Sequence, residues 1–475
     1  MNISDRPPAP GNPANSESDM PSTEPLSKTK RDEVIQDPIT AAFERHLTRM
    51  AGLPDWWKEM KQKAMIDYLA LPMPTRKAEQ WRFANLRGLA IETYEFNPAL
   101  QDEHRDRARQ SNLMVAHRAG GMVFVDDELL DHEPVSPDLA KKGVIWEPIE
   151  SALRNHPEII KDYFMTQEPH LGSEKFAALH SAFVSAGCLL YVPKGVEIDL
   201  PFMASHWSAG QNSAVFPHTL VIAEENARVT LVDAFESLDR QGKHLACGFN
   251  HLFTGEGARI DYQVVQNWSQ NTWGFQINSM IAGRDATVHS LAINLGASHY
   301  RSENQSLLNG EGSRVEMYSL SVTDKDQQID QRTLQSHLAP HASSDLLYKN
   351  ALMDDSRTVF SGLIKVAEDA QKTDAYQSNR NLLVSPTAEA NSLPGLEIQA
   401  NDVRCTHGST TGQIDESELF YLLSRGIRPN LARELLVFGF FEEVILKVEN
   451  NELASSIRNL IQTKFREDMA ARKQV

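Results

Sequence analysis

Glu225-Asn-Ala-Arg-Val-Thr-Leu231, Glu256-Gly-Ala-Arg-Ile-Asp-Tyr262, Arg284-Asp-Ala-Thr-Val-His-Ser290 and Glu311-Gly-Ser-Arg-Val-Glu-Met317 share one local pattern. A turn-forming residue is followed by a small residue and then by alternating positions. Pro340-His-Ala-Ser-Ser-Asp-Leu346 and Glu368-Asp-Ala-Gln-Lys-Thr-Asp374 extend the series. Counted on the small residues Ala227, Ala258, Ala286, Ser313, Ala342 and Ala370, the steps are 31, 28, 27, 29 and 28 residues.

A period of this length marks a solenoid, in which no turn can bury its apolar face alone and stacked turns share one core. The repeating unit is a strand. Positions one and three after the small residue are polar in all six copies, and the position between is apolar in four: Val229, Ile260, Val288 and Val315. That is the period-two alternation of a half-buried strand. Asn226, Gly257, Asp285 and Gly312 suit tight corners with unusual backbone angles. Helical repeats would need apolar residues at i, i+3, i+4 and i+7, which are missing. A parallel β-helix (β-solenoid) over residues 190–412 is the expected core, with a β-sandwich as the other arrangement such strands allow.

Downstream, residues 413–475 read as a helical domain. Asp415-x-x-Glu418 resembles a capping box ahead of Leu419-Phe-Tyr-Leu-Leu423, and Gly426 sits where a C-terminal glycine belongs. Leu431, Leu435, Phe438, Phe441, Ile445 and Val448 then form an apolar stripe that can seat another protein or pack into a core. Upstream, residues 38–189 read as an α+β domain with helical patterning at its start, broken by Leu71-Pro-Met-Pro-Thr75. Residues 1–37 hold six prolines and no aromatic residue, the composition of a disordered polar tail. They contain no apolar run of a secretory signal, and their acids argue against an organelle transit peptide.

The 475-residue chain carries a formal charge of −17. That sign argues against a general nucleic-acid surface, which rests on clustered Lys and Arg. No apolar stretch is long enough to cross a bilayer as a helix, and a cytoplasmic location is expected. Three cysteines, Cys188, Cys247 and Cys405, make neither a disulfide framework nor a local C-x-x-C site. P-loop, G-x-G-x-x-G, H-E-x-x-H and G-x-S-x-G motifs do not occur, which argues against the commonest enzyme classes. His244-x-x-Cys247-x-x-x-His251 has metal-like residues, but on a continuous strand His244 points away from the other two. Cys405-Thr-His407 differs: a separation of two places sulfur and imidazole on one strand face. Two donors suit iron or zinc yet do not close a site.

Around this pair, Asn379-Arg-Asn-Leu-Leu383, Pro394-Gly-Leu-Glu-Ile398, Asn401-Asp-Val-Arg-Cys-Thr-His-Gly408 and Leu419-Phe-Tyr-Leu-Leu-Ser-Arg-Gly-Ile427 closely resemble the C-terminal core of the SufB/SufD family, on its SufD side. These are subunits of the SUF iron–sulfur cluster assembly complex. Thr75-Arg-Lys-Ala-Glu-Gln-Trp-Arg82 is similar to the family's N-terminal signature. The Cys-Thr-His-Gly-Ser-Thr410 segment favours SufD, whereas Gln266-Asn-Trp268 is reminiscent of SufB. The resemblance implies a parallel β-helix and a non-enzymatic scaffold that pairs with SufB and binds the ATPase SufC through C-terminal helices. It makes Leu431, Leu435, Phe438, Phe441 and Ile445 the expected SufC surface. It places His407, with Cys405 as a weaker neighbour, at the SufB interface, where a transient iron–sulfur cluster would form with no cofactor stably bound. Neither nucleic acid nor membrane is an expected partner. The alternatives are a SufB-like cluster-carrying paralogue and, from another class, a β-helix polysaccharide lyase or hydrolase.

Overall fold

A computed structural model describes residues 37–110 and 114–472; the expected tail lies outside the described residues except for Asp37. The core is a parallel β-solenoid of two facing sheets, each turn contributing one strand to each. In the first sheet the neighbours run Ile145–Pro148, Cys188–Val192, His218–Ala223, Lys243–Thr254, Asn271–Ala282, His299–Leu308, Gln328–His337, Arg357–Val366 and Glu389–Ile398. The second runs Glu128–Glu133, Gly120–Val125, Phe202–Ser208, Arg228–Ser237, Arg259–Asn267, Thr287–Asn294, Arg314–Thr323, Ser343–Leu352, Asp374–Leu383 and Arg404–Gln413.

The repeated segments are the corners that lead into the second sheet. Asn226, Gly257, Asp285, Gly312 and His341 all have positive φ, between 52° and 72°. The small residue that follows each one is fully buried, because a larger side chain would not fit where the chain folds back onto its neighbour. In-register pairing then places Val229, Ile260, Val288 and Val315 side by side in the interior.

The sixth copy departs from the expectation. Ala370 is buried, but it lies inside a longer corner, and the strand starts at Asp374. Asp374 pairs with Ser343, so the residue equivalent to Ala342 is Thr373, preceded by Lys372 at φ 62°. Three extra residues are absorbed in the corner without a shift in register.

Each sheet is covered on its outer face. N-terminal helices lay Trp57, Phe176 and Phe183 over Leu220, Leu245 and Phe275 of the first sheet. C-terminal helices lay Phe441, Val444, Ile445, Ile457 and Phe465 over Val232, Val265, Leu291 and Leu320 of the second. Each of these fully buried side chains contributes about 1.5–3 kcal/mol relative to exposure. The solenoid interior is largely apolar. It also holds hydrogen-bonded polar groups: the Tyr262 hydroxyl donates to Asp233 at 2.6 Å in an early turn, and in later turns Asn350 Nδ2 donates to Asn381 Oδ1 at 2.8 Å and Asn381 Nδ2 donates to Thr411 Oγ1 at 3.2 Å.

Candidate functional site: the open end of the solenoid

The last turn is built from Glu389–Ile398 and Arg404–Gln413, each the terminal strand of its sheet. Among the described residues no strand pairs with the free edge of either. Residues two apart share a face, and pairing identifies that face. Cys405 sits beside Ala375 and His407 beside Gln377, both buried in the interior. Cys405 and His407 therefore belong to the inward row of the second sheet, together with Ser409 and Thr411. In the first sheet, Ser392, Leu396 and Ile398 lie beside the buried Phe360, Ile364 and Val366 and form the opposing inward row. Ser392 Oγ donates to Asn379 Oδ1 at 2.7 Å.

With no further turn above them, these inward residues are uncovered. Leu396 and Ile398 are 38% and 40% exposed, although their row is the core row of the solenoid. His407 is exposed and Cys405 half-buried against the small apolar cluster that includes Ile364 and Ala375. Burial, with a smaller contribution from the Asp374 carboxylate, pushes the Cys405 thiol above its usual range, so the free chain holds it protonated. A soft metal or a sulfur species would therefore meet one thiol and one imidazole on adjacent same-face positions. The remaining donors would have to come from outside this turn.

The other metal-like sequence is structural. His244, Cys247 and His251 lie on the continuous strand Lys243–Thr254. His244 Nδ1 contacts Ser213 Oγ at 2.8 Å on one side, while Cys247 Sγ donates to the Phe176 carbonyl at 3.2 Å on the other. Cys188 is buried in the solenoid core.

The C-terminal stripe splits. Phe441 and Ile445 are buried against the second sheet and Phe438 is partly buried there, so these three do not form one open face with the rest. Leu431 and Leu435 are exposed, at 47% and 45%. At about 100° per residue, the helix Pro429–Ile445 centres its buried face on Val437, Phe441 and Val444, to one side of the Leu431–Leu435 line. The preceding helix, Glu416–Ser424, is capped by Asp415, whose carboxylate accepts from the Ser417 and Glu418 amides. It ends at Gly426 with φ 81° and leaves Phe420, Tyr421 and Leu423 exposed. These three residues were not singled out by the stripe, although the sequence holds them beside the capping box.

Comparison with known proteins adds to this geometry. Residues 206–440 match the family described as SUF system FeS cluster assembly, SufBD core domain, and residues 44–203 match the SufBD protein N-terminal region. The iron–sulfur cluster assembly protein SufD of Bacillus subtilis is 28% identical over 418 residues, covering 87% of this chain and 95% of the relative. A SufBD family protein of Staphylococcus saprophyticus is 26% identical, covering 85% and 88%. SufB of Bacillus subtilis is 25% identical with the same two coverages.

Proposed function

Because the chain belongs to the SufB/SufD family of iron–sulfur cluster assembly proteins, we propose that it is a non-enzymatic, SufD-type scaffold that completes its site only against a paralogue. The observation that carries this reading is the uncovered last turn. Two strand edges unpaired among the described residues, and an uncovered inward row in which Leu396, Ile398 and His407 are exposed and Cys405 is half-buried, are what a second solenoid of the same construction would cover. The paralogue, SufB, would extend both sheets across the junction and bury the apolar pair. Cys405 and His407 would then face residues of the partner across a shared, desolvated seam, and iron or sulfur arriving there as cargo would be held transiently by donors from both chains.

The ATPase SufC would dock on the exposed residues of the C-terminal hairpin: Leu431 and Leu435 with Phe420, Tyr421 and Leu423. Phe438, Phe441 and Ile445 would support this surface from beneath. ATP-driven movement of the ATPase would reach the open end through the short Ile414-Asp415 link between the last strand and the first helix of the hairpin. Among the described residues no helix is long and apolar enough to cross a membrane, and a cytoplasmic site of action fits this reading.

Co-expression with the paralogue and the ATPase, followed by size analysis, tests the assembly. Leu435→Glu together with Phe420→Glu is expected to release the ATPase and leave the paralogue bound. Retention of the ATPase by this variant would overturn the docking assignment.

A further inference from the structure

On the N-terminal covering layer, the segment 74–89 carries four cations, Arg76, Lys77, Arg82 and Arg87, against the single acid Glu79, in a chain whose net charge is −17. Among the described residues none of the four makes an ion pair with a carboxylate. Arg76 Nε donates to the Arg82 carbonyl at 3.2 Å, and the Arg82 guanidinium lies 5.7 Å from the centre of the Phe83 ring. All four cations are exposed. Like charges left unpaired so close together repel one another, and an anionic partner removes that cost.

Three of them, Arg76, Lys77 and Arg87, rim an apolar groove of about 620 Å³ whose floor includes Met73, Pro74, Trp81, Leu86 and Leu89. The floor is held in place. Trp81 Nε1 donates to the Gly172 carbonyl at 2.7 Å, and the Arg301 guanidinium stacks on the Trp81 ring at 3.8 Å. Arg301 is itself fixed by Glu303, by Asp330 and by the carbonyls of Gln80 and Leu171. Just before the groove, Ile66 and Leu69 share a helix face and are 66% and 54% exposed. The groove is thus an apolar channel with a positive rim and a floor anchored through Trp81.

We propose that this groove docks an acidic, amphipathic segment of a protein partner, with apolar side chains on Met73, Leu86 and Leu89 and carboxylates against Arg76, Lys77 and Arg87. Charge complementarity selects the partner: in a chain of net charge −17, this groove joins an apolar floor to a rim of three cations that pair with no carboxylate among the described residues. The apolar floor separates such a segment from a simple polyanion, which would use the rim alone. This surface lies on the N-terminal covering layer; Arg76, Trp81 and Leu86 also line a second cavity with Glu389 and Asn391 of the last turn, but the proposal does not draw on the role given to Cys405 and His407.

The test is fluorescence anisotropy of the full chain with a labelled synthetic peptide that has Leu at helical spacing and Glu between. Control probes replace every Leu by Ser, or every Glu by Lys, and an oligodeoxythymidylate supplies charge without apolar anchors. Lys77→Glu with Arg87→Glu is expected to weaken the Leu/Glu peptide by about tenfold or more and to gain binding of the Leu/Lys peptide. Met73→Ser is expected to weaken the Leu/Glu peptide and leave the Leu/Ser peptide unchanged. Binding of the Leu/Lys peptide, with an unchanged melting temperature, shows that the charge-reversed chain is folded. The proposal is overturned if the Leu/Glu peptide fails to bind at about 100 µM. It is equally overturned if the Leu/Ser peptide or the oligonucleotide binds as tightly, or if charge reversal changes nothing.

Discussion

The two ends of the solenoid are finished in opposite ways. At the start, the first sheet is closed by Ile145–Pro148, antiparallel to Cys188–Val192, and the second by the hairpin Gly120–Val125 and Glu128–Glu133. Ile145–Pro148 and Glu128–Glu133 break the parallel run that Gly120–Val125 still continues, and Trp146, packed on Phe202 at 5.0 Å between ring centres, plugs the interior. At the far end the stack stops at a complete turn, with both edges unpaired among the described residues and the core row uncovered. Terminal turns of a solenoid need a polar or closed outer face to stay soluble alone. One end obeys that rule. The other departs from it, and it does so at the turn that carries Cys405 and His407.

Breaking the plug has the largest expected effect. Trp146→Ala removes a fully enclosed side chain from the closed end and is expected to cost about 3–5 kcal/mol of stability in chemical unfolding. An equally apolar change at the open end should act on assembly instead. Leu396→Glu with Ile398→Glu is expected to weaken pairing with the paralogue by about a hundredfold or more, as loss of two central apolar anchors does. The melting temperature of the isolated chain should hardly move, because both residues are already exposed there. A large loss of chain stability in this variant would mean that the open end is not built for a partner.

The turn of the closing hairpin sharpens the contrast through pH. Asp126 and Asp127 occupy its two central positions with φ 46° and 62°, a conformation that Asn, Asp and Gly tolerate. The Asp127 carboxylate accepts from the Phe216 amide at 2.7 Å, and burial pushes its pKa from 3.8 up to about 8. A raised carboxylate keeps its proton in the folded state, so its contribution to stability is complete below pH 3.8 and fades as the pH climbs through about 8. Asp127→Asn keeps the acceptor and the turn geometry but removes the ionisation. The melting temperature of the variant minus that of the parent is expected to grow steadily from pH 4 to pH 8. A difference that stays flat across this range would show that Asp127 is ionised in the folded chain.

The same contrast explains what was legible in the sequence. Corners into the second sheet were visible because Asn226, Gly257, Asp285 and Gly312 need positive φ and the following residue must be small, which leaves a fixed mark every turn. Corners into the first sheet have no shared residue, so that sheet left no period of its own. Its strands also put Asn250, Asn278 and Asn304 into the interior in register, which cancels the hydrophobic alternation by which a strand is recognised. The shared face of Cys405 and His407 followed from their separation alone. That the face points into an uncovered interior depends on which turn is last, a property of the whole stack. The apolar stripe Leu431–Ile445 was real, but the helix is apolar over most of its circumference, and only the second sheet decides which side is buried.

His407→Ala is the smallest change to the chain and the most discriminating for the site. The side chain is exposed on the last turn, and none of the described contacts depends on it. Its removal is therefore expected to alter stability by less than about 0.5 kcal/mol, as at most exposed positions. Pairing with the paralogue should also survive, since Leu396, Ile398 and the two strand edges remain. What should fall is cluster formation on the assembled complex, followed by its visible absorbance after iron and sulfide are supplied. Cys405→Ser should reduce it less, because the thiol is protonated and half-buried until a partner changes its surroundings. If His407→Ala forms clusters at the parental rate in a complex of normal size, the open end is a joint and nothing more. If it abolishes pairing as well, the histidine is part of the packing, and the donor role falls to residues of the partner.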